Sequence, residues 1–152
     1  MPRLGALRIV AGITLGSAMG VGAYTLVYAR AGSYLLNDPE TCINCHVMQG
    51  NYDSWTRSSH HAVAVCNDCH TPHDFVGKYY VKSRNGWNHS KAFTLQNFHE
   101  PIQITEFNRK VALEACRSCH EDFVEMVDQA AGDREGLDCI RCHPSVGHME
   151  LE

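Results

Sequence analysis

A mainly α-helical chain with one helix set apart from the rest is predicted, on three observations. Residues 9–29, IVAGITLGSAMGVGAYTLVYA, run for 21 positions without a charge. No stretch alternates apolar and polar residues as a half-buried strand does. All eight cysteines fall into four C-x-x-C-H units: Cys42/Cys45/His46, Cys66/Cys69/His70, Cys116/Cys119/His120 and Cys139/Cys142/His143.

The uncharged run has the length of a membrane span. At a rise of about 1.5 Å per residue it spans about 31 Å, the thickness of a bilayer's hydrocarbon core. Arg3 and Arg8 precede it and Tyr24, Tyr28 and Tyr34 gather at its other end. Basic residues stay on the cytoplasmic side and aromatic rings favour the interface, so the N-terminus is placed inside. A cleaved signal peptide is the rival, because Ala29-Arg30-Ala31 loosely fits an A-x-A site, but the apolar stretch is longer than a signal core. A retained single-pass anchor over residues 1–31 is the expectation. Gly12, Gly16 and Gly20 make two overlapping G-x-x-x-G steps, a face suited to another membrane helix.

Four C-x-x-C pairs would also suit two zinc knuckles. Zinc does not require a histidine directly after every second cysteine. With ten histidines in 152 residues, that fourfold coincidence has a chance of about 2 in 100,000, whereas covalent haem attachment demands it. No cysteine is then left for a disulfide. Four covalently attached haem c groups also explain how a chain this short builds an interior, because large apolar porphyrins replace much of the usual core. Attachment takes place outside the bacterial cytoplasmic membrane, so residues 32–152 are expected to be a periplasmic tetrahaem cytochrome c domain. The net charge of −4 and the lack of a basic patch exclude nucleic acid as a partner.

Spacing organises that domain. The cysteine pairs start at 42, 66, 116 and 139, two short gaps around a long one, which suggests two di-haem modules. Asp38-Pro39-Glu40 reads as N-cap, N1 proline and acidic first turn of a helix carrying the first motif. A helix starting near Pro72 runs through HDFVGKYYVKSR toward Gly86. Thr105 to Ala131 has continuous helical character, closed by Gly132 at the C-cap. The fold is mostly helix and loop, organised by haem.

Four irons take up to eight axial ligands and the motif histidines supply four. His60, His61, His73, His89, His99 and His148 lie outside the motifs. Met48, two residues past His46, is a further ligand type. On a regular helix Met48 points about 200° away from His46. It reaches the iron only if the helix loosens after Cys45, which Gln49-Gly50-Asn51 permits. Spacing alone leaves His46 and Met48 both open.

DPETCINCHVM, SSH before CNDCH, GWNHSKAFTL and CHPSVGH resemble the NapC/NirT family of membrane-anchored tetrahaem quinol dehydrogenases, and within it the nitrite reductase small subunits. The resemblance covers nearly the whole chain. It implies that Met48 holds the first iron, that His60, with His61 as adjacent rival, serves the third, and that His148 serves the second. His70, His120 and His143 are then the proximal ligands of haems 2, 3 and 4. The fourth haem lacks a sixth ligand from this chain, and in the family a lysine of the catalytic partner can fill it. His73 and His99 are left as structural or surface residues.

The same resemblance implies oxidation of menaquinol from the membrane quinol pool. Electrons would pass to the multihaem catalytic subunit of a periplasmic cytochrome c nitrite reductase, so the chain itself is not expected to reduce nitrite. The alternatives are another periplasmic reductase as acceptor, or a membrane-tethered electron-storage cytochrome. Quinol oxidation needs a proton acceptor beside an electron acceptor. KYYVKSRNGWNH holds Lys78, Lys82 and His89 between the modules. The resemblance implies that Lys82 borders the quinol pocket at haem 1. Some members have aspartate where this chain has His89, so His89 is expected to act as proton acceptor, weak distal ligand or neither.

Overall fold

The uncharged run folds as helix α1, Pro2–Tyr28. In this computed structural model, which describes residues 2–132 and 137–148, α1 extends beyond the run to take in Arg8. Its apolar side chains stay exposed from Leu4 to Tyr28, and it is long and apolar enough to cross a membrane. Thr14 and Thr25 turn their hydroxyls back onto the carbonyls of Val10 and Val21, at 2.9 and 2.8 Å. Their protons are thus satisfied inside the helix, as a hydrocarbon surrounding demands. At Arg30 the backbone turns left-handed (φ 49°), and a short 3₁₀ turn follows over Ala31–Leu35.

The chain divides into two compact units, one up to Leu36 and the other from Asn37 onward. In the second unit, 3₁₀ turns at Pro39–Asn44 and His46–Met48 lead into α2, Gln49–Trp55. Then come α3 (Cys66–His70), α4 (Phe75–Leu95), α5 (Glu106–Cys119), α6 (Glu121–Ala131) and α7 (Cys139–Cys142). The described residues contain no strand.

Two expected boundaries move, each for a local reason. The helix sought near Pro72 starts at Phe75, because Asp74 is the residue that caps it, accepting from the Gly77 amide at 2.7 Å. It does not stop near Gly86 but continues to Leu95, where Gln96 turns left-handed. The continuous helix expected from Thr105 to Ala131 is broken at His120 (φ −106°, ψ 27°) into α5 and α6. Its two ends are as expected: Thr105 accepts from the Asn108 amide at 3.3 Å, and Gly132 takes the left-handed cap at φ 71°.

Side chains alone make a thin interior. Among the described residues the buried apolar ones are Val81, Ala112 and Ala115. The second and third motifs meet, since α3, which carries the second, lies on α5, which carries the third. Beside them Asp128 of α6, 6% exposed, pairs with Arg117 of α5 at 2.7 Å. That pair holds the two helices together across the break at His120.

Candidate haem and quinol sites

The first motif begins as its residues dictate. Pro39 stands at the first helical position and Asp38 accepts from the Glu40 amide at 3.0 Å. The turn is 3₁₀ rather than α, and it ends at Cys45, whose backbone is extended (φ −99°, ψ 112°). A second turn then carries His46 to Met48. The loosening after Cys45 that Met48 requires is therefore present. Met48 is half-buried with its sulfur 3.9 Å from Asn51 Nδ2, whereas His46 is exposed.

The histidines outside the motifs sort themselves by what they face. The rings of His70 and His148 are parallel within 2°, with centroids 6.2 Å apart. Those of His60 and His120 are 6.0 Å apart at 69°. Two imidazoles on opposite sides of one metal, each with a bond of about 2.0 Å, put their ring centres about 6 Å apart. Both pairs have the span that an axial pair on one iron takes, so the residues fit the group. His61, the rival of His60, packs edge-on against Trp55 at 4.6 Å instead.

Motif histidines also share a place at helix ends. His70 closes α3, His120 separates α5 from α6, and His143 follows α7 with φ −122° and ψ 56°. Burial, then the neighbouring charges of His148 and His89, pushes the His70 pKa down. Burial does the same for His148. Both shifts favour neutral imidazole, the form that ligates a metal.

Attachment cysteines follow one another in chain order. Cys66 hydrogen-bonds Cys42, which brings the Cys42 thiol down to about 7, with help from the charge of Lys82, while Cys66 itself is pushed up. Cys69 is raised by burial and by the nearby Asp68 and Cys119, and Cys116 by burial and then by Cys139 and Cys69. Polar ties accompany this order. Asn67 donates to Asn37 at 3.2 Å. His73 bridges the Asp68 carbonyl (3.0 Å) and the Ser118 hydroxyl (3.1 Å), joining the middle residues of the second and third motifs. Arg109 of α5 binds Asp138, the N-cap of α7. Sequence reasoning missed Arg109, Ser118 and Asp138; only Asp138, a capping residue directly before a C-x-x-C pair, left a readable signal.

Helix α4 carries the quinol candidates. Because it is unbroken from Phe75 to Leu95, Lys82 and His89 share one face, about 10 Å apart along the axis. Lys82 is half-buried, its Nζ 5.9 Å from the centre of the Tyr79 ring. Desolvation and then Lys78 lower its pKa, while Cys42 pulls the other way, so Lys82 stands by the first attachment site. His89 has its charge close to His70, nearer the second motif than Lys82's surroundings suggest for it. Its own pKa is lowered by desolvation. His99 lies exposed in the loop after α4.

Attachment motifs at helix ends, with imidazoles facing in pairs, define a multihaem c-type cytochrome with one helix apolar enough to span a membrane. The family model described as the NapC/NirT cytochrome c family, N-terminal region, matches residues 5–152, and the chain belongs to that family, with covalently bound haem c. It is 38% identical over 149 residues to the cytochrome c-type protein NrfH of Wolinella succinogenes, covering 91% of this chain and 84% of that one. The cytochrome c nitrite reductase subunit NrfH of Nitratidesulfovibrio vulgaris is 28% identical, with 96% and 86% covered. Among solved structures, a chain of the cytochrome c nitrite reductase NrfHA complex bound to the HQNO inhibitor superposes with a TM-score of 0.66. It is 27% identical, and 92% of each chain is covered.

Proposed function

We propose that this protein is a membrane-bound menaquinol dehydrogenase that delivers electrons to a periplasmic cytochrome c nitrite reductase, which converts nitrite to ammonia. The observation that carries the reading is Lys82, a partly desolvated cation on an unbroken helix beside the first attachment cysteine. The likeness to two NrfH proteins along nearly the whole chain supports the choice of acceptor.

In this reading the eight cysteines tether four haems. Met48 holds the first iron, His70 with His148 the second, His120 with His60 the third, and His143 the fourth. A lysine of the catalytic partner would complete the ligand set of the fourth haem. Bound haem supplies a one-electron couple whose potential its axial ligands set. Quinol oxidation releases two protons and two electrons. Lys82 hydrogen-bonds a quinol oxygen and stabilises the anion that forms as protons leave. His89, on the same face of α4, takes a proton. Arg3 and Arg8 keep the N-terminus inside, so the haem domain is periplasmic.

Reduction by a menaquinol analogue tests the reading. Lys82→Ala should retain four haems and reduction by dithionite, yet lose most of the reduction by the analogue. A normal rate in that variant would move the pocket away from Lys82. Co-purification of a larger multihaem protein with nitrite reductase activity tests the partner, and a partner without that activity would overturn the assignment.

A further inference from the structure

We propose that Arg109 is a positioning residue for the fourth haem motif, clamping the helix that bears Cys139 and Cys142 onto the helix that bears the third motif. Both guanidinium donors fall on one oxygen of the carboxylate, and the other oxygen is left for the helix. Asp138 Oδ2 accepts from Arg109 Nε at 3.0 Å and from Nη2 at 2.5 Å. Asp138 Oδ1 accepts from the Arg141 amide at 3.2 Å and so caps α7. One oxygen starts the helix while the other fixes where it stands.

The need for a clamp follows from size. Helix α7 has four residues, Cys139–Cys142, too few to be stable without tertiary support. Its motif is joined to α5 across 29 residues of sequence. Two guanidinium donors converging on one carboxylate oxygen fix direction as well as distance, which a lysine ammonium does not. Both side chains are about 30% exposed, so solvent weakens the pair without dissolving it. Arg109 itself is held in the first turn of α5, its amide donating to the Thr105 carbonyl at 2.8 Å. The rigid end of the clamp is therefore the helix leading to Cys116, Cys119 and His120.

Resting on the proposed function, the fourth motif is the exit, and the clamp sets how closely it follows the third. The test uses the full-length, membrane-inserted holoprotein with Arg109→Gln, Asp138→Asn and the double variant. Asparagine still caps a helix, so Asp138→Asn isolates the loss of the clamp. Hydrogen exchange of the peptide covering residues 138–143 should quicken about tenfold in each single variant, with α3 unchanged. The double variant should be no faster, because one contact is lost in all three. With a menaquinol analogue as donor, the last quarter of the haem absorbance should lag in all three variants while the rest reduces normally. A role through charge alone would send Arg109→Gln and Asp138→Asn in opposite directions, and that result, or unchanged exchange, overturns the proposal. If the unmodified protein were not reduced by the analogue, the functional reading would fail there, and the exchange arm would still decide on the clamp.

Discussion

His60 and His61 are adjacent in sequence and face different partners, so replacing each by alanine gives opposite expectations. The His60 ring stands 6.0 Å from that of His120, the span of two imidazoles on one iron. His60→Ala should leave the third haem without its sixth ligand, turning about half of the low-spin ferric signal high-spin, because only the second and third haems take both ligands from this chain. All four haems should stay covalently attached, since Cys116 and Cys119 are untouched. The His61 ring stands 4.6 Å from Trp55 at 70°. Trp55 is held independently, its indole N–H donating to the Ala64 carbonyl at 3.2 Å. His61→Ala therefore forfeits only an edge-to-face contact, about 0.5–1.5 kcal/mol, and should lower the melting temperature by a few degrees with intact spectra. Low-temperature electron paramagnetic resonance of the oxidised protein, with haem staining on a denaturing gel, reads both. High-spin haem in His61→Ala together with a full low-spin signal in His60→Ala would refute the pairing.

Other perturbations probe separate parts. Met48→Leu should change the spectrum of one haem and lower its potential, because a thioether ligand raises it; an unchanged spectrum, with the signal lost in His46→Ala instead, would assign that iron to His46. Asp128→Asn removes one partner of a pair in which the aspartate side chain is 5% exposed and the arginine side chain 19%. Loss of one partner of a buried pair costs about 3–5 kcal/mol, so its thermal unfolding should fall well below that of a surface aspartate control. A shift equal to the control's would mean the pair contributes little. Arg109 holds the Asp138 carboxyl below the ordinary carboxylate range, chiefly by hydrogen bonding. A depressed pKa adds stability above the unfolded value of about 4, lost as pH falls through the folded value. Asp138→Asn should thus be less stable than the parent at pH 6, with the gap closing in acid. A gap constant down to pH 2 by circular dichroism would be evidence against the charge.

How much of this was legible in the sequence depended on the range of each interaction. Local rules served well: Asp38 and Pro39 start the first turn, Thr105 and Gly132 bound the α5–α6 region, and the uncharged run gives α1. The break at His120 was not legible, because Cys116 to Ala131 has ordinary helical composition and the kink belongs to the motif histidine itself. Position in the chain could not separate His60 from His61; the difference arises from Trp55 capturing one ring, a contact set by tertiary packing. The early end of the first turn was visible only as permission, in Gln49-Gly50-Asn51, while the actual break falls at Cys45. His73, read as structural or surface, bridges two motifs through a serine 45 residues away, which no local pattern encodes.

The contact between Cys42 and Cys66 has a consequence for how the attachment sites respond to change. The leading cysteines of the first and second motifs lie within hydrogen-bonding reach of each other. Bulk added at either position meets the other motif. The two sites are therefore coupled, and substitutions in them should not add.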